Sequence, residues 1–175
     1  MIAVPSSRRL IASQTLSTTA ASVTFSSIPT GYRDLVLRWS NRYSTAADYT
    51  NVQVTFNGTT TTYSDTTVAA FAGSSTFSGR RTGQAYIDRI YVAGANTTAN
   101  TFASAEIYIP NYTVSTNKPL SGFSTVENNS STVNIIAATA GLWSNTSAIT
   151  SIGLSVPSGT FDIRSSFYLY GLLEA

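Results

Sequence analysis

Short runs in which apolar and polar residues alternate, separated by glycine, proline, asparagine and serine, constrain the fold of this chain more than any other feature. In one run Leu35, Leu37 and Trp39 occupy every second position, so their side chains point to one face of a strand. A second run ends at Asn57-Gly58, a dipeptide that supplies the positive φ values of a tight hairpin turn. The same pattern predicts strands at 10–16, 23–25, 34–41, 52–56, 84–92, 101–109, 120–127, 133–140, 149–156 and 166–173.

These strands, with the near absence of helical periodicity, predict an all-β fold: an antiparallel β-sandwich with a jelly-roll-like topology. Other Greek-key and galactose-binding-like topologies have the same periodicity, so the strand order stays open. The 175 residues fit one domain, 10–175, preceded by an N-terminal arm at 1–9. The segment 59–83 is rich in threonine, serine and glycine, and we expect a long loop or insertion there.

The composition indicates a folded chain with a polar but nearly uncharged surface. Only 10% of the residues are charged, against about 25% in an ordinary soluble protein, whereas 8 Phe, 10 Tyr and 2 Trp supply a core. The net charge of +2 comes without clusters of basic residues, so we expect no nucleic-acid partner. No apolar run approaches about 20 residues, so we expect no membrane span. The absence of cysteine excludes disulfides and thiol chemistry.

The residue types of common catalytic and metal sites are missing from the sequence. Without histidine or cysteine there is no usual general base, no thiol nucleophile and no ordinary set of transition-metal ligands. The carboxylates are scattered singly, and Asp88 with Glu106 is the best pair for glycoside hydrolysis. No motif fixes two roles on these side chains, and no loop has the closely spaced oxygen ligands of a calcium site. We therefore expect no enzyme activity, no catalytic residue, no cofactor and no metal.

Aromatic residues near predicted turns raise an alternative, a carbohydrate-binding module in which tyrosine and tryptophan stack on sugars. Tyr43 and Tyr49 flank Asp48 in a predicted loop. Trp143 follows Gly-Leu and precedes Ser-Asn, a position near a turn. Tyr43, Tyr49 and Trp143 are therefore the candidate glycan contacts, although exposed tyrosines are equally typical of subunit interfaces.

Seven short motifs of strand and turn residues span most of the chain: Ser22-Val23-Thr24-Phe25, Ile28-Pro29, Tyr32-Arg33-Asp34-Leu35-Val36-Leu37, Phe56-Asn57-Gly58, Ile109-Pro110-Asn111-Tyr112, Ile149-Thr150-Ser151-Ile152 and Ser166-Phe167-Tyr168-Leu169-Tyr170-Gly171. Together they resemble the small structural proteins of tailed bacteriophages, particularly the jelly-roll proteins that decorate or cement capsids. That family includes capsid cement proteins and components of tails and fibres, and the motifs fit all of these roles.

The resemblance implies a non-enzymatic virion structural protein, a decoration or cement protein that binds the outer face of the major capsid lattice and stabilises the shell. Such a protein is made in the bacterial host cytoplasm, acts at the outer capsid surface and is often a trimer or dimer. We expect the arm 1–9 and the segment 59–83 to contact the major capsid protein. The candidate contacts are Arg8, Arg9, Tyr63, Phe71, Phe77, Arg80 and Arg81. The alternative is a receptor- or carbohydrate-binding module of a phage tail or fibre.

Overall fold

The computed structural model describes residues 8–72, 75–129 and 134–173, and within these ranges the chain forms strands, turns and loops without a helix. Twelve strands are found there: β1 (Arg8–Thr15), β2 (Ser22–Phe25), β3 (Asp34–Asn41), β4 (Tyr49–Phe56), β5 (Tyr63–Phe71), β6 (Ser75–Gln84), β7 (Ile87–Ala93), β8 (Ala103–Ile109), β9 (Lys118–Val126), β10 (Ile135–Trp143), β11 (Ile152–Ser155) and β12 (Ser166–Leu172). The predicted all-β class is confirmed.

The strands form two antiparallel sheets that enclose the core between them. The large sheet has eight strands in the order β1-β12-β3-β8-β9-β10-β5-β6, and the small sheet has four in the order β2-β11-β4-β7. Without the hairpins β5-β6 and β9-β10, the order is β1-β12-β3-β8 against β2-β11-β4-β7, which is a jelly roll of two Greek keys. The predicted antiparallel sandwich is confirmed, and two added hairpins extend its large sheet. We call β9, β10, β5 and β6 the extension strands.

Strand β3 shows how the alternating sequence builds the core. Leu35, Leu37 and Trp39 point inward and are buried between the sheets, as their spacing predicts. Val36 points to the opposite side of the large sheet, yet it is buried as well. Its register partners on the two flanking strands are Tyr170 and Tyr108, so aromatic side chains stand on both sides of it.

Strand β7, at one edge of the small sheet, is fastened to the extension strands by side-chain hydrogen bonds. The Tyr91 amide donates to Ser124 Oγ of β9 at 3.1 Å, and Thr139 Oγ1 of β10 donates to the Arg89 carbonyl at 3.1 Å. Gly141 of β10 permits this close approach, because a Cβ there would lie 2.7 Å from a side-chain carbon of β7. One face of the extension strands is therefore packed against the small sheet, and the other face is open.

The expected long loop at 59–83 is wrong, because most of that segment forms the hairpin β5-β6. The inward positions of β5 include Tyr63, Asp65 and Thr67, and all three are buried. Polar residues at inward positions hide the apolar alternation from which a strand is predicted. The described residues of this segment therefore belong mostly to the large sheet.

The expected N-terminal arm is partly wrong. Arg8 and Arg9 belong to strand β1, where they pair in register with Leu172 and Gly171 of β12. These two arginines therefore lie in the large sheet rather than before it. The rest of the expected arm, 1–7, lies outside the described residues.

Candidate functional site

The side chains of the large sheet that point away from the small sheet form a continuous surface, which we call the outer face. Strand register fixes its composition, because side chains of direct register partners lie on the same side of a sheet. One row of register partners crosses β12, β3, β8, β9, β10 and β5 in the order Tyr168, Arg38, Glu106, Phe123, Ala138 and Val68. The row changes from polar and aromatic on the jelly-roll strands to apolar on the extension strands.

The extension strands carry a group of exposed apolar side chains, which we call the apolar patch: Val68, Ala70, Phe123, Ile136 and Ala138. Val68 is 57% exposed, and Phe123 and Ile136 are each 49% exposed. These three account for nearly half of the seven large apolar side chains that are exposed in the described ranges. They line a shallow depression of about 520 Å³. Contiguous apolar surface of this kind marks an interaction site more often than scattered single residues do.

The jelly-roll strands of the outer face carry a second depression of about 230 Å³, which we call the tyrosine groove. It is lined by Arg38, Ser40, Ser104, Tyr168 and Tyr170. Trp39 and Ala105, whose side chains are buried, complete the lining. The rings of Tyr168 and Tyr170 lie 6.5 Å apart between centroids, with their planes inclined by 25°. Two aromatic rings thus stand side by side on an open sheet surface.

An ion-pair network borders the tyrosine groove. Arg38 Nε lies 3.1 Å from Glu106 Oε2, and Arg8 Nη1 lies 3.7 Å from the same oxygen. The Arg8 guanidinium group also lies over the Tyr170 ring, 5.7 Å from its centroid. Because these side chains are about half exposed, the ion pairs contribute little to stability. Their effect is to hold charged and aromatic groups in a fixed arrangement.

The hairpin β5-β6 contains most of the predicted capsid contacts, and the structure divides them. Arg80 is exposed and points to the outer face, as its register partner Thr66 does. Phe71 and Phe77 are half-buried and point inward. Phe71 packs on Tyr49 and Tyr91, and Phe77 lies 4.4 Å beneath the Arg89 guanidinium group.

Tyr63 and Arg81 are wrong as surface contacts. Tyr63 is fully buried, and its hydroxyl accepts a hydrogen bond of 2.7 Å from the Phe56 amide. Burial raises the pKa of this phenol. Arg81 points into the sandwich and belongs to the ion cluster described next. Both side chains contribute to the fold, and the exposed side of this hairpin is the outer face.

A cluster of two arginines and two aspartates ties the hairpin β5-β6 to strand β7. Arg81 Nε donates to Asp65 Oδ1 at 3.1 Å, and Arg81 Nη1 donates to Asp88 Oδ2 at 3.0 Å. Arg89 Nε lies 4.0 Å from Asp65 Oδ1. Burial raises the pKa of Asp88, and the nearby Arg81 guanidinium opposes that shift. The two positive and two negative charges balance, and the ion pairs hold the hairpin β5-β6 against strand β7.

The carboxylates singled out as the best hydrolytic pair do not meet. Asp88 lies on β7, buried in the ion cluster, whereas Glu106 lies on the outer face between Arg8 and Arg38. The large sheet separates the two side chains. A glycoside hydrolase needs both carboxyl groups in one cleft, flanking the scissile bond.

The glycan site expected at Tyr43, Tyr49 and Trp143 is wrong for two of its three residues. Tyr43 is buried, and its hydroxyl shares a 3.0 Å hydrogen bond with Ser158 Oγ. Trp143 is buried at the end of β10 and stacks on Tyr63 with ring centroids 6.2 Å apart. Tyr49 alone is exposed, at 40%. The position near a turn suggested exposure of Trp143, but strand β10 continues through it and directs it inward.

The apolar and tyrosine side chains of the outer face were not singled out from the sequence, although the signal was present. In β12, Phe167 and Leu169 are buried, so the alternation requires Tyr168 and Tyr170 to share the opposite face. The same rule places Ile136 outward, between two buried residues of β10. Aromatic or aliphatic residues on both faces of one strand indicate that the second face has a use beyond contact with water.

Two buried cations are held by backbone carbonyls. Lys118 is fully buried, and Nζ donates to the carbonyls of Val114 at 2.7 Å, Thr146 at 3.2 Å and Thr116. Burial lowers the pKa of this lysine. Arg42, also buried, donates to four carbonyls of the loop between β7 and β8. Both cations fix loops and have their donors engaged, so neither offers a binding site.

The described part of the chain contains no group of three or more carboxylates placed to hold a metal ion. It contains no helix long and apolar enough to cross a membrane. Comparisons of the chain with protein-family models, with curated proteins and with solved structures find no match.

Proposed function

We propose that this protein is a non-enzymatic virion structural protein that decorates or cements a phage capsid, and that it binds the shell through the apolar patch. The observation that carries the proposal is the exposure of Val68, Phe123 and Ile136 side by side on one open sheet face. The resemblance of its strand and turn motifs to phage decoration proteins supplies the expected partner, the major capsid protein.

The position of the patch within the fold supports a binding role. A jelly roll needs only eight strands, and the apolar patch lies entirely on the four strands added to it. The inner face of those strands packs on β7, which accounts for their stability within the monomer. Their outer face gains nothing from apolar residues in water, whereas full burial of each large side chain stabilises a complex by about 1.5–3 kcal/mol. The added hairpins are therefore best explained as a docking surface.

A cement function follows from binding that discriminates between intact and broken shells. A ligand that binds one state and not another stabilises the bound state in proportion to the logarithm of its concentration over its dissociation constant. If the apolar patch fits a surface that exists only in the closed lattice, each bound copy lowers the free energy of the closed shell. A dimer or trimer would add to this effect, because linked copies engage neighbouring lattice positions together.

Some of the predicted contacts fit this docking surface. Arg80 lies on the outer face at the edge strand β6, next to the apolar patch. Phe77 borders the depression, but its ring points inward beneath Arg89, so it does not contact a partner on the outer face. Arg8 lies at the opposite end of the outer face, in the ion-pair network around Glu106. We propose Arg80 as a peripheral contact that affects the association rate more than the affinity.

The test is co-sedimentation with undecorated phage capsid shells, followed by thermal disruption of the shells with and without bound protein. The double variant Phe123→Ser with Ile136→Ser should bind shells at least about tenfold more weakly than wild type. The matched control is Val114→Ser with Ile163→Ser, which removes two exposed apolar side chains (49% and 40%) from loops outside the outer face. The control should bind like wild type.

Saturable wild-type binding, raised shell stability and loss of both in the patch variant alone would support the proposal. Equal binding by the patch variant and wild type would exclude the apolar patch as the docking surface. If wild type does not bind shells at all, the cement function is wrong, and binding to host cells instead would place the protein in a tail or fibre.

A further inference from the structure

We propose that the tyrosine groove is a binding site for neutral oligosaccharides. The inference does not depend on the capsid role, because it uses different strands and different side chains from the apolar patch. It also differs from the glycan site expected from the sequence, whose residues Tyr43 and Trp143 are buried.

The first observation is the pair of tyrosine rings. Tyr168 and Tyr170 stand two residues apart on β12, and both point to the outer face. Their centroids are 6.5 Å apart and their planes differ by only 25°. Pyranose rings have an apolar face made of C–H groups, which packs on the electron-rich face of an aromatic ring, while the tyrosine hydroxyl remains available for hydrogen bonds. The Arg8 guanidinium lies over the Tyr170 ring, so Tyr168 offers the main stacking surface and Tyr170 adds its free edge and hydroxyl.

The second observation is the small size of the residues across the groove. Ser40 of β3 and Ser104 of β8 are register partners, and both line the depression beside the tyrosines. Short side chains at these two positions leave the floor of the groove open across the adjacent strands β3 and β8. Their hydroxyl groups both donate and accept hydrogen bonds, as recognition of sugar hydroxyls requires. The groove therefore combines an aromatic wall with a polar floor.

The third observation concerns charge. Arg38 Nε lies 3.1 Å from Glu106 Oε2, and a planar guanidinium group presents further N–H donors in a fixed geometry that suits paired oxygen acceptors. Arg8 and Arg38 share Glu106 at the border of the groove, so this network presents guanidinium donors and a carboxylate acceptor side by side, with one net positive charge. Sugar hydroxyls can accept from the guanidinium groups and also donate to Glu106, whereas the carboxylates of a polyanion can only accept and would be repelled by Glu106.

The groove and the apolar patch are far enough apart to act separately. Tyr168 and Tyr170 lie on β12, whereas Ile136 lies on β10, four strand positions away. At about 4.8 Å per strand, this places Ile136 roughly 19 Å and Phe123 of β9 roughly 14 Å from the tyrosines, and the two sites meet where Glu106 pairs in register with Phe123. A protein docked by its extension strands can leave the tyrosine groove accessible at the other end of the outer face.

The experiment measures retention of the purified chain in affinity gels that contain neutral or acidic polysaccharide, with isothermal titration calorimetry on the oligosaccharides. The neutral probes are glucans, mannans and xylans with their hexasaccharides, and the acidic probe is polygalacturonate. We expect at least one neutral probe to bind. The double variant Tyr168→Ala with Tyr170→Ala should weaken that binding at least tenfold, whereas Tyr168→Phe with Tyr170→Phe should retain most of it.

Controls separate this site from the fold and from the capsid role. Tyr49→Ala removes an exposed tyrosine elsewhere and should bind sugars like wild type. Phe123→Ser with Ile136→Ser should also bind sugars like wild type, and the tyrosine-to-alanine variant should still sediment with shells. Thermal melting confirms that each variant is folded.

Three results would overturn the proposal: no binding to any neutral probe, unchanged binding by the tyrosine-to-alanine variant, or binding restricted to polygalacturonate. If the tyrosine variant instead loses shell binding and no sugar binds, the groove belongs to a protein interface. The capsid proposal is judged separately by the patch variant, so either proposal can fail without the other.

Discussion

At the scale of single residues, buried polar groups determine how the loops of this fold are held. Lys118 is the only lysine in the sequence, and it is fully buried at the start of β9. Its ammonium group donates to three carbonyls from two different loops. A buried charge is costly, but removing it leaves three buried acceptors without a donor.

We therefore expect Lys118→Met to lower the free energy of unfolding by about 2–4 kcal/mol. The substitution removes the cost of burying an ammonium group, but the loss of its hydrogen bonds is the larger effect. The midpoint of urea denaturation measures this loss. Arg9→Met, which removes an exposed cation from the edge strand β1, is the control and should change stability by less than about 0.5 kcal/mol. A stable Lys118→Met variant would show that the carbonyls find other donors at little cost.

The predictability of the fold also depends on particular residues. The spacing of Leu35, Leu37 and Trp39 predicted β3 because the inward positions are apolar and the alternation is visible. In β5 the inward positions include Asp65 and Thr67, so the same rule predicted a loop. Pairing of Asp65 with an arginine 16 residues later makes that strand possible, and such a long-range contact cannot be derived from local pattern.

Prediction of the candidate site failed for a related reason. Sequence analysis selected aromatic residues near turns, and strand continuation buried Trp143. The aromatic residues of the outer face lie within strands. Their alternation was used only to identify the buried residues on the opposite side of each strand. Strand alternation can show that Tyr168 and Tyr170 share a face, but only the sheet order shows that this face is open and that Arg38 lies beside it.

At the scale of elements, the ion cluster determines whether the hairpin β5-β6 stays docked. Arg81→Met would leave Asp65 and Asp88 buried without their shared partner, and breaking a buried pair in this way costs about 3–5 kcal/mol. We expect that loss in the free energy of unfolding, with faster amide hydrogen exchange concentrated in β5 and β6. Part of the loss should disappear at acidic pH, because burial raises the pKa of Asp88 and its protonation removes one of the unpaired charges.

The neighbouring residue provides a matched control for this prediction. Arg80 has the same side chain, lies one position away and points to the open outer face. Arg80→Met should change stability by less than about 0.5 kcal/mol at any pH. Equal effects of the two substitutions would show that the cluster does not clamp the hairpin.

At the scale of the whole molecule, stability should fall steeply in alkali because several tyrosines keep their protons more tightly when folded. Burial raises the pKa of Tyr63, Tyr91 and Tyr112 above the ordinary value of 10.0, and a hydrogen bond to Asp34 raises that of Tyr108. Above pH 10 the unfolded chain loses these protons first. The stability that the four phenols contribute is therefore complete below pH 10 and is lost as pH rises through their folded pKa values.

Lys118 acts in the opposite direction, because its folded pKa is lowered from 10.5 and the unfolded chain holds that proton more tightly. Its contribution to the free energy of unfolding therefore rises up to about pH 10.5 and then stays constant. Above that pH only the four phenols change their contribution, so the net stability falls. Urea midpoints measured between about pH 7 and pH 11.5 should decline above pH 10, and Tyr91→Phe should make the decline shallower. Midpoints that stay constant to the end of this range, or a slope unchanged in the Tyr91 variant, would mean that these phenols ionise equally well in the folded protein.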